Sequence, residues 1–211
     1  MNKINYNLEM ENIIKKLDTD NPPRLLLHSC CGPCSSSVLE RLGMYFKITV
    51  LYYNPNIDTK NEFYTRVVEQ RSVIERLPSK NKIELIVIDY DSSEYFDKIK
   101  GYEHEREGGY RCKLCFDLRI EEAAKFAKEK GFDYFTTTLS VSPYKNSQLL
   151  NKIGEEMAKK YGINYLYSDF KKKNGYRRSI ELSKEYNLYR QDYCGCIFSK
   201  LQSIEDRKKL G

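Results

Sequence analysis

The chain has 211 residues and a formal net charge of +6 at pH 7; 40% of it is hydrophobic and 31% charged. That balance supports an ordinary buried core and excludes a disordered tail. No apolar run is long enough to span a bilayer, and Met1 to Asp20 carries acidic residues in place of a secretory apolar stretch, so a cytoplasmic protein without membrane contact is expected.

Leu8 to Leu17 reads as a short helix, and the apolar run Arg24 to His28 as a buried strand. Pro33 to Leu42 suits a helix with proline at its first position. Lys47 to Tyr53 is a second strand, Asp58 to Leu77 a long helix and Ile83 to Asp89 a third strand. Asp91 and Glu94 form a capping box for a helix through Lys100, and a polar loop runs from Gly101 to Tyr110. Cys115 to Lys130 is helical and closed by Gly131; Tyr134 to Leu139 is a fourth strand. Ser147 to Tyr161 is a helix stopped by Gly162, Asn164 to Tyr167 a short fifth strand, and Ser179 to Tyr186 and Phe198 to Lys209 two closing helices.

Strands alternating with helices predict an α/β fold: a doubly wound, mostly parallel, five-stranded sheet. No linker divides the chain, so residues 1–211 read as one domain, with a helical portion from about residue 175 completing the cysteine site. In such sheets ligands sit beyond the carboxyl ends of the strands. The first strand runs straight into Ser29-Cys30-Cys31, which puts thiols in that crevice.

All 7 cysteines fall into three groups: Cys30, Cys31 and Cys34; Cys112 and Cys115; Cys194 and Cys196. Cytosolic thiols stay reduced, so this clustering points to metal or redox chemistry and away from structural staples. Cys112 and Cys115 have the spacing at which two thiolates converge on one metal. With Cys30 and Cys31 they make four soft ligands, and a vicinal pair suits a 4Fe–4S cluster better than a single tetrahedral zinc. Cys34 is a further ligand, either of the cluster or of a second mononuclear ion. Cys194 and Cys196 can close only a small, strained ring; the two readings are a reversible redox dithiol and two more metal ligands.

Around the thiols, Asn54 follows the second strand, and Ser142 and Lys145 follow the fourth, where a hydroxyl and an ammonium can hold phosphate. Lys171 to Arg190 is strongly basic; Arg177, Arg178 and Arg190 lie near Tyr186, Tyr189 and Tyr193. Cations interleaved with aromatics are how proteins hold single-stranded nucleotides, though a solvated face looks the same. Of the 2 histidines, His28 lies two residues from Cys30.

Five segments resemble, in order, the epoxyqueuosine reductases of the QueH family: Leu27 to Cys34, Tyr52 to Ile57, Arg111 to Phe116, Thr136 to Lys145, and Tyr189 to Cys196. The resemblance implies a fold like that of the adenine-nucleotide α-hydrolases (HUP). It implies reduction of epoxyqueuosine to queuosine at the wobble position of tRNA, the last step of queuosine biosynthesis. By position it implies that Cys30, Cys31, Cys112 and Cys115 hold a 4Fe–4S cluster and that Cys194 and Cys196 are a redox-active disulfide. ATP-using members of that fold carry a Ser-Gly-Gly-x-Asp-Ser loop after the first strand; cysteines stand there instead, which argues against an ATP-dependent tRNA thiolase. Removing the epoxide oxygen as water takes two electrons and two protons, so an electron donor is needed. Asp192, Tyr193 and His28 are the candidate proton donors. A zinc-stabilised RNA-binding module without redox activity is the rival reading of the same cysteines.

Overall fold

Leu25, Leu26 and Leu27 are fully buried because their strand is the middle one of a sheet covered on both faces. The computed structural model describes residues 3–209. Strands β1 (Arg24–His28), β2 (Lys47–Tyr52), β3 (Glu84–Val87), β4 (Tyr134–Thr137) and β5 (Asn164–Tyr165) pair in the order β3-β2-β1-β4-β5. Every pairing is parallel, so the sheet is wholly parallel where the sequence suggested mostly parallel.

Successive side chains of a strand point to opposite faces. Leu25 and Leu27 accordingly pack with helix α1 (Tyr6–Ile14), α2 (Gly32–Leu42) and α3 (Lys60–Arg76) through Met10, Val38, Leu42 and Val73. Leu26 packs on the other face with α5 (Tyr110–Glu129) and α6 (Ser147–Tyr161) through Phe116, Ile120, Ala124 and Leu150. Short α4 (Ser93–Ile99) precedes α5, and α7 (Gly175–Glu185) and α8 (Ile197–Lys208) complete the chain. Arg178 of α7 binds Glu40 of α2 through Nε at 2.9 Å and Nη2 at 2.7 Å, tying the C-terminal part to the sheet layer. Among the described residues no helix is long and apolar enough to cross a membrane.

Several element ends shift by a few residues from the sequence reading, and three differences have a clear local cause or bear on the cysteines. The proposed capping box does not form: the Asp91 carboxylate accepts the Ser93 N–H at 2.8 Å, the N-cap is Ser92, and Glu94 is drawn off by the Tyr53 hydroxyl. Helix α5 starts at Tyr110, so Cys112 and Cys115 both sit in its opening turns. The fourth strand ends at Thr137 and tightens into a 3-10 turn over Thr138–Val141, started by the Thr137 hydroxyl accepting the Leu139 N–H at 3.2 Å.

Strand order reverses between β1 and β4, since the chain leaves β1 toward β2 and returns to pair β4 on the opposite side. The crevice at such a switch point is where doubly wound sheets bind ligands.

Candidate active site

The turn after β1 is built from Ser29, Cys30 and Cys31, and Cys31 caps α2. The Ser29 hydroxyl donates to Gln70 Oε1 at 2.6 Å and its carbonyl accepts from Asn54 Nδ2 at 2.9 Å. These bonds fix the turn from α3 and β2. From the 3-10 turn after β4, Thr138 Oγ1 accepts the Cys30 N–H at 3.2 Å and donates to Cys30 Sγ at 3.4 Å.

The three thiols of this turn converge. Among the described residues, Cys30, Cys31 and Cys34 are the set of three or more metal-ligating side chains whose ligand atoms all lie within 4.8 Å of one another. Cys30 and Cys31 Sγ are 3.9 Å apart. Hydrogen bonds from the Cys31 and Cys34 thiols, helped by the charges of Lys145 and Arg119, hold Cys30 well below the usual thiol range. The same bond to Cys30 pushes Cys31 up to about 12, and Cys34 is raised as well. Of the three, Cys30 is the thiol most readily deprotonated.

The other four thiols form a second group. Cys112 Sγ accepts the Gly108 N–H at 3.3 Å. Burial pushes Cys115 up to about 12, against the pull of Arg119, and the sulfurs of Cys194 and Cys196 add to the rise. Cys112 is raised by burial and by those same two sulfurs. Cys196 caps α8, accepting the Ser199 N–H at 3.4 Å, and is buried with Cys115 against Tyr95 and Ile99. All seven are free thiols.

A cavity of about 690 Å³ opens at this end of the sheet, lined by Cys30, Cys31, Cys34 and Cys194. That volume suits a single small ligand or a base turned out of its strand. Ser142, Lys145, Arg190 and Asp192 also line it. Burial opposes the charge of Lys145, but the Cys194, Cys30 and Cys34 sulfurs hold its ammonium above the ordinary range. Arg190 stacks on Tyr176 at 5.6 Å, and Asp192 pairs with Arg207 at 2.5 Å.

Four residues singled out from sequence lie elsewhere. His28 is fully buried; Nδ1 meets Thr137 Oγ1 at 2.8 Å and Nε2 meets the Tyr53 carbonyl at 3.1 Å. Burial, with the Arg119 charge, pushes it down to about 3, so it is neutral and fully bonded. Asn54 lies behind the cavity between Ser29 and Arg119. Arg177 and Arg178 are on the outside of α7, paired with Glu181 at 3.0 Å and with Glu40 at 2.7 Å. Lys171 and Lys173 are likewise paired, with Asp169 and Glu11. Much of the basic stretch is thus neutralised within the protein.

Two residues at the site were missed. Arg66 and Arg119 are 2% and 1% exposed, and both adjoin thiols. A signal existed: Phe63, Arg66, Val67, Gln70 and Val73 share the buried stripe of α3, and Cys115, Arg119 and Ala123 that of α5. A cation on an apolar stripe is bonded to something inside.

The family model described as Epoxyqueuosine reductase QueH matches residues 25–202. The chain is 43% identical to the epoxyqueuosine reductase QueH of Streptococcus pyogenes serotype M1, over 96% of this chain and 81% of that protein. It is 41% identical to that of Staphylococcus epidermidis, over 99% and 90%. The Thermotoga maritima protein of the same name is 31% identical, over 88% and 95%.

Proposed function

The chain belongs to the epoxyqueuosine reductase QueH family, and on that premise we propose that it reduces epoxyqueuosine to queuosine at the wobble position of tRNA, using a thiolate-held 4Fe–4S cluster and a Cys194–Cys196 dithiol. The observation that carries this reading is the convergence of Cys30, Cys31 and Cys34 at the switch point of the sheet, on a cavity that Cys194 also lines, with Arg119 linking Cys115 to the same turn.

The donor set fits the cluster. The ligands are soft sulfurs, and the cations Arg119 and Lys145 beside them offset the negative charge that thiolate ligation brings. Among the described residues, buried Arg66 Nη2 and Arg111 Nη2 have no partner, so each is a donor without an acceptor. Cys30, Cys31, Cys112 and Cys115 would hold the cluster, with Cys34 beside the vicinal pair as ligand of a second mononuclear ion. When bound, the cluster supplies electrons singly.

The residues of the chain do the rest. Cys194 and Cys196 give up two electrons and two protons as they close into a disulfide; the epoxide carbons become an alkene and the oxygen leaves as water. Lys145 faces Cys30, Cys34 and Cys194 and stabilises the negative charge that develops on the departing oxygen. Asp192 lines the same cavity as a carboxylate and passes a proton from the dithiol to the departing oxygen. The tRNA is held at the mouth by Ser142, Lys145 and Arg190, with nucleobases on Tyr144, which is 81% exposed, and on Tyr176. The enzyme works as a single α/β domain in the cytoplasm, where an external donor keeps the dithiol reduced.

The test is anaerobic incubation of the iron-loaded protein and a chemical reductant with tRNA carrying epoxyqueuosine. Loss of one oxygen from the modified nucleoside, read by mass spectrometry, is the expected result. An iron-loaded protein that leaves the nucleoside unchanged while binding the tRNA would sink the proposal.

A further inference from the structure

Helix α3 is the wall against which two of the three cysteine groups lean, and glycine makes both approaches. Gly32 belongs to the Cys30–Cys34 turn; a Cβ there would lie 3.0 Å from the Glu69 carbonyl oxygen. Gly195, between Cys194 and Cys196, has φ +122, and a Cβ there would lie 2.8 Å from Arg66 Nη1. Only glycine combines that backbone with that contact.

Arg66 is held from one side. Its Nε binds Glu62 one helical turn back at 2.7 Å, and its Cζ lies 5.4 Å from the Tyr193 ring centroid. The face carrying Nη1 and Nη2 turns toward Gly195 and the thiol cavity, which Arg66 lines. Nη2 is buried and has no partner among the described residues. The loop is further moored nearby: the Asp58 N–H donates to the Gly195 carbonyl at 3.0 Å, and Lys200 binds Asp58 at 2.7 Å. Arg66 thus abuts the residue between the two cysteines, and a buried, fixed cation next to such a pair favours its thiolate form over the neutral disulfide.

We propose that Arg66 is a positioning residue of the reductase, the seat of the Cys194–Gly195–Cys196 loop and the charge that sets how readily this pair is oxidised. This rests on the reading of Cys194 and Cys196 as the redox dithiol. In the reaction the dithiol loses two electrons and two protons to the epoxide and becomes the disulfide. Arg66 stabilises the reduced sulfurs and thereby holds the pair ready for substrate, with its oxidation driven by the epoxide and not by weak oxidants.

The experiment equilibrates the anaerobic, iron-loaded protein with dithiothreitol buffers of graded reduced-to-oxidised ratio, then counts free thiols at Cys194 and Cys196 by alkylation and peptide mass spectrometry. Arg66→Gln should shift the equilibrium about tenfold toward the disulfide, which is about 30 mV for a two-electron couple. Arg66→Lys, which keeps the charge, should stay nearer to wild type than the glutamine variant does. Glu62→Gln keeps an acceptor for Nε but removes the opposing charge, so it should shift the pair toward the dithiol; it also decides the matter if Arg66→Gln does not fold. An unmoved equilibrium in Arg66→Gln, equal shifts in Gln and Lys variants, or no shift in Glu62→Gln overturns the role of Arg66. A wild-type protein in which Cys194 and Cys196 never interconvert overturns instead the dithiol reading beneath it.

Discussion

Arg119 Nη1 lies 3.9 Å from the sulfur of Cys115, one turn earlier on the same helix, in the interior of the protein. Its other nitrogen, Nη2, donates to Asn54 Oδ1, and Asn54 in turn holds the Ser29 carbonyl. A single guanidinium so links Cys115 of α5 to the turn that carries Cys30 and Cys31. Replacing it with methionine removes a buried donor and strands the Asn54 oxygen. The expected loss is about 1–3 kcal/mol of unfolding free energy, measured by anaerobic urea denaturation. Arg119→Lys should lose less, and a methionine variant as stable as wild type would contradict the linkage.

Cys30 and Cys34 should respond differently to substitution although their sulfurs are neighbours. Cys30 is held lowest of the trio, whereas Cys34 is raised. After anaerobic reconstitution, Cys30→Ser should lose the visible absorption of the cluster along with its iron and sulfide. Cys34→Ser should keep that absorption and lose only metal in excess of the cluster. Bleaching by the Cys34 substitution would make Cys34 a cluster ligand.

Serine at Cys196 should abolish turnover without unfolding the protein. Cys196 Sγ caps α8 by accepting the Ser199 N–H, and a serine hydroxyl is a good N-cap acceptor. Circular dichroism and iron content should match wild type while epoxyqueuosine reduction falls to background. Cys194→Ser should behave alike. Sustained multiple turnover by either variant would remove the dithiol from the reaction.

Affinity for tRNA should fall as salt rises, and the slope should report which cations face the nucleic acid. Arg190 lines the cavity, whereas Arg177 and Arg178 are engaged by Glu181 and Glu40. Arg190→Ala should flatten the plot of log affinity against log salt by about 0.7 for each phosphate that the protein no longer neutralises. Arg177→Ala should leave the slope as it is. Equal flattening by both would restore the outer face of α7 as a binding surface.

What was legible in sequence is local in origin. Strand β1 matches its expected bounds, Arg24–His28, because a run of leucines after a polar turn has no other stable use than a central strand. Helix α6 matches as Ser147–Tyr161, for its cap at Asn146 and its end at Gly162 are encoded within a few residues. The three cysteine groups, and the placing of the first beyond a strand end, follow from spacing and the βαβ alternation in the same way. What the tertiary structure alone decided is which groups meet. The parallel crossovers bring His28 to Thr137 and Arg119 to Asn54, and those partners turn two suspected site residues into buried, satisfied ones. They also bring Glu40 to Arg178, cancelling charge that looked free for nucleic acid, and set Arg66 beneath Gly195. Periodicity and turn chemistry act over a few residues and can be read along the chain; charge compensation and sulfur-to-sulfur approach depend on distances that only the closed sheet defines.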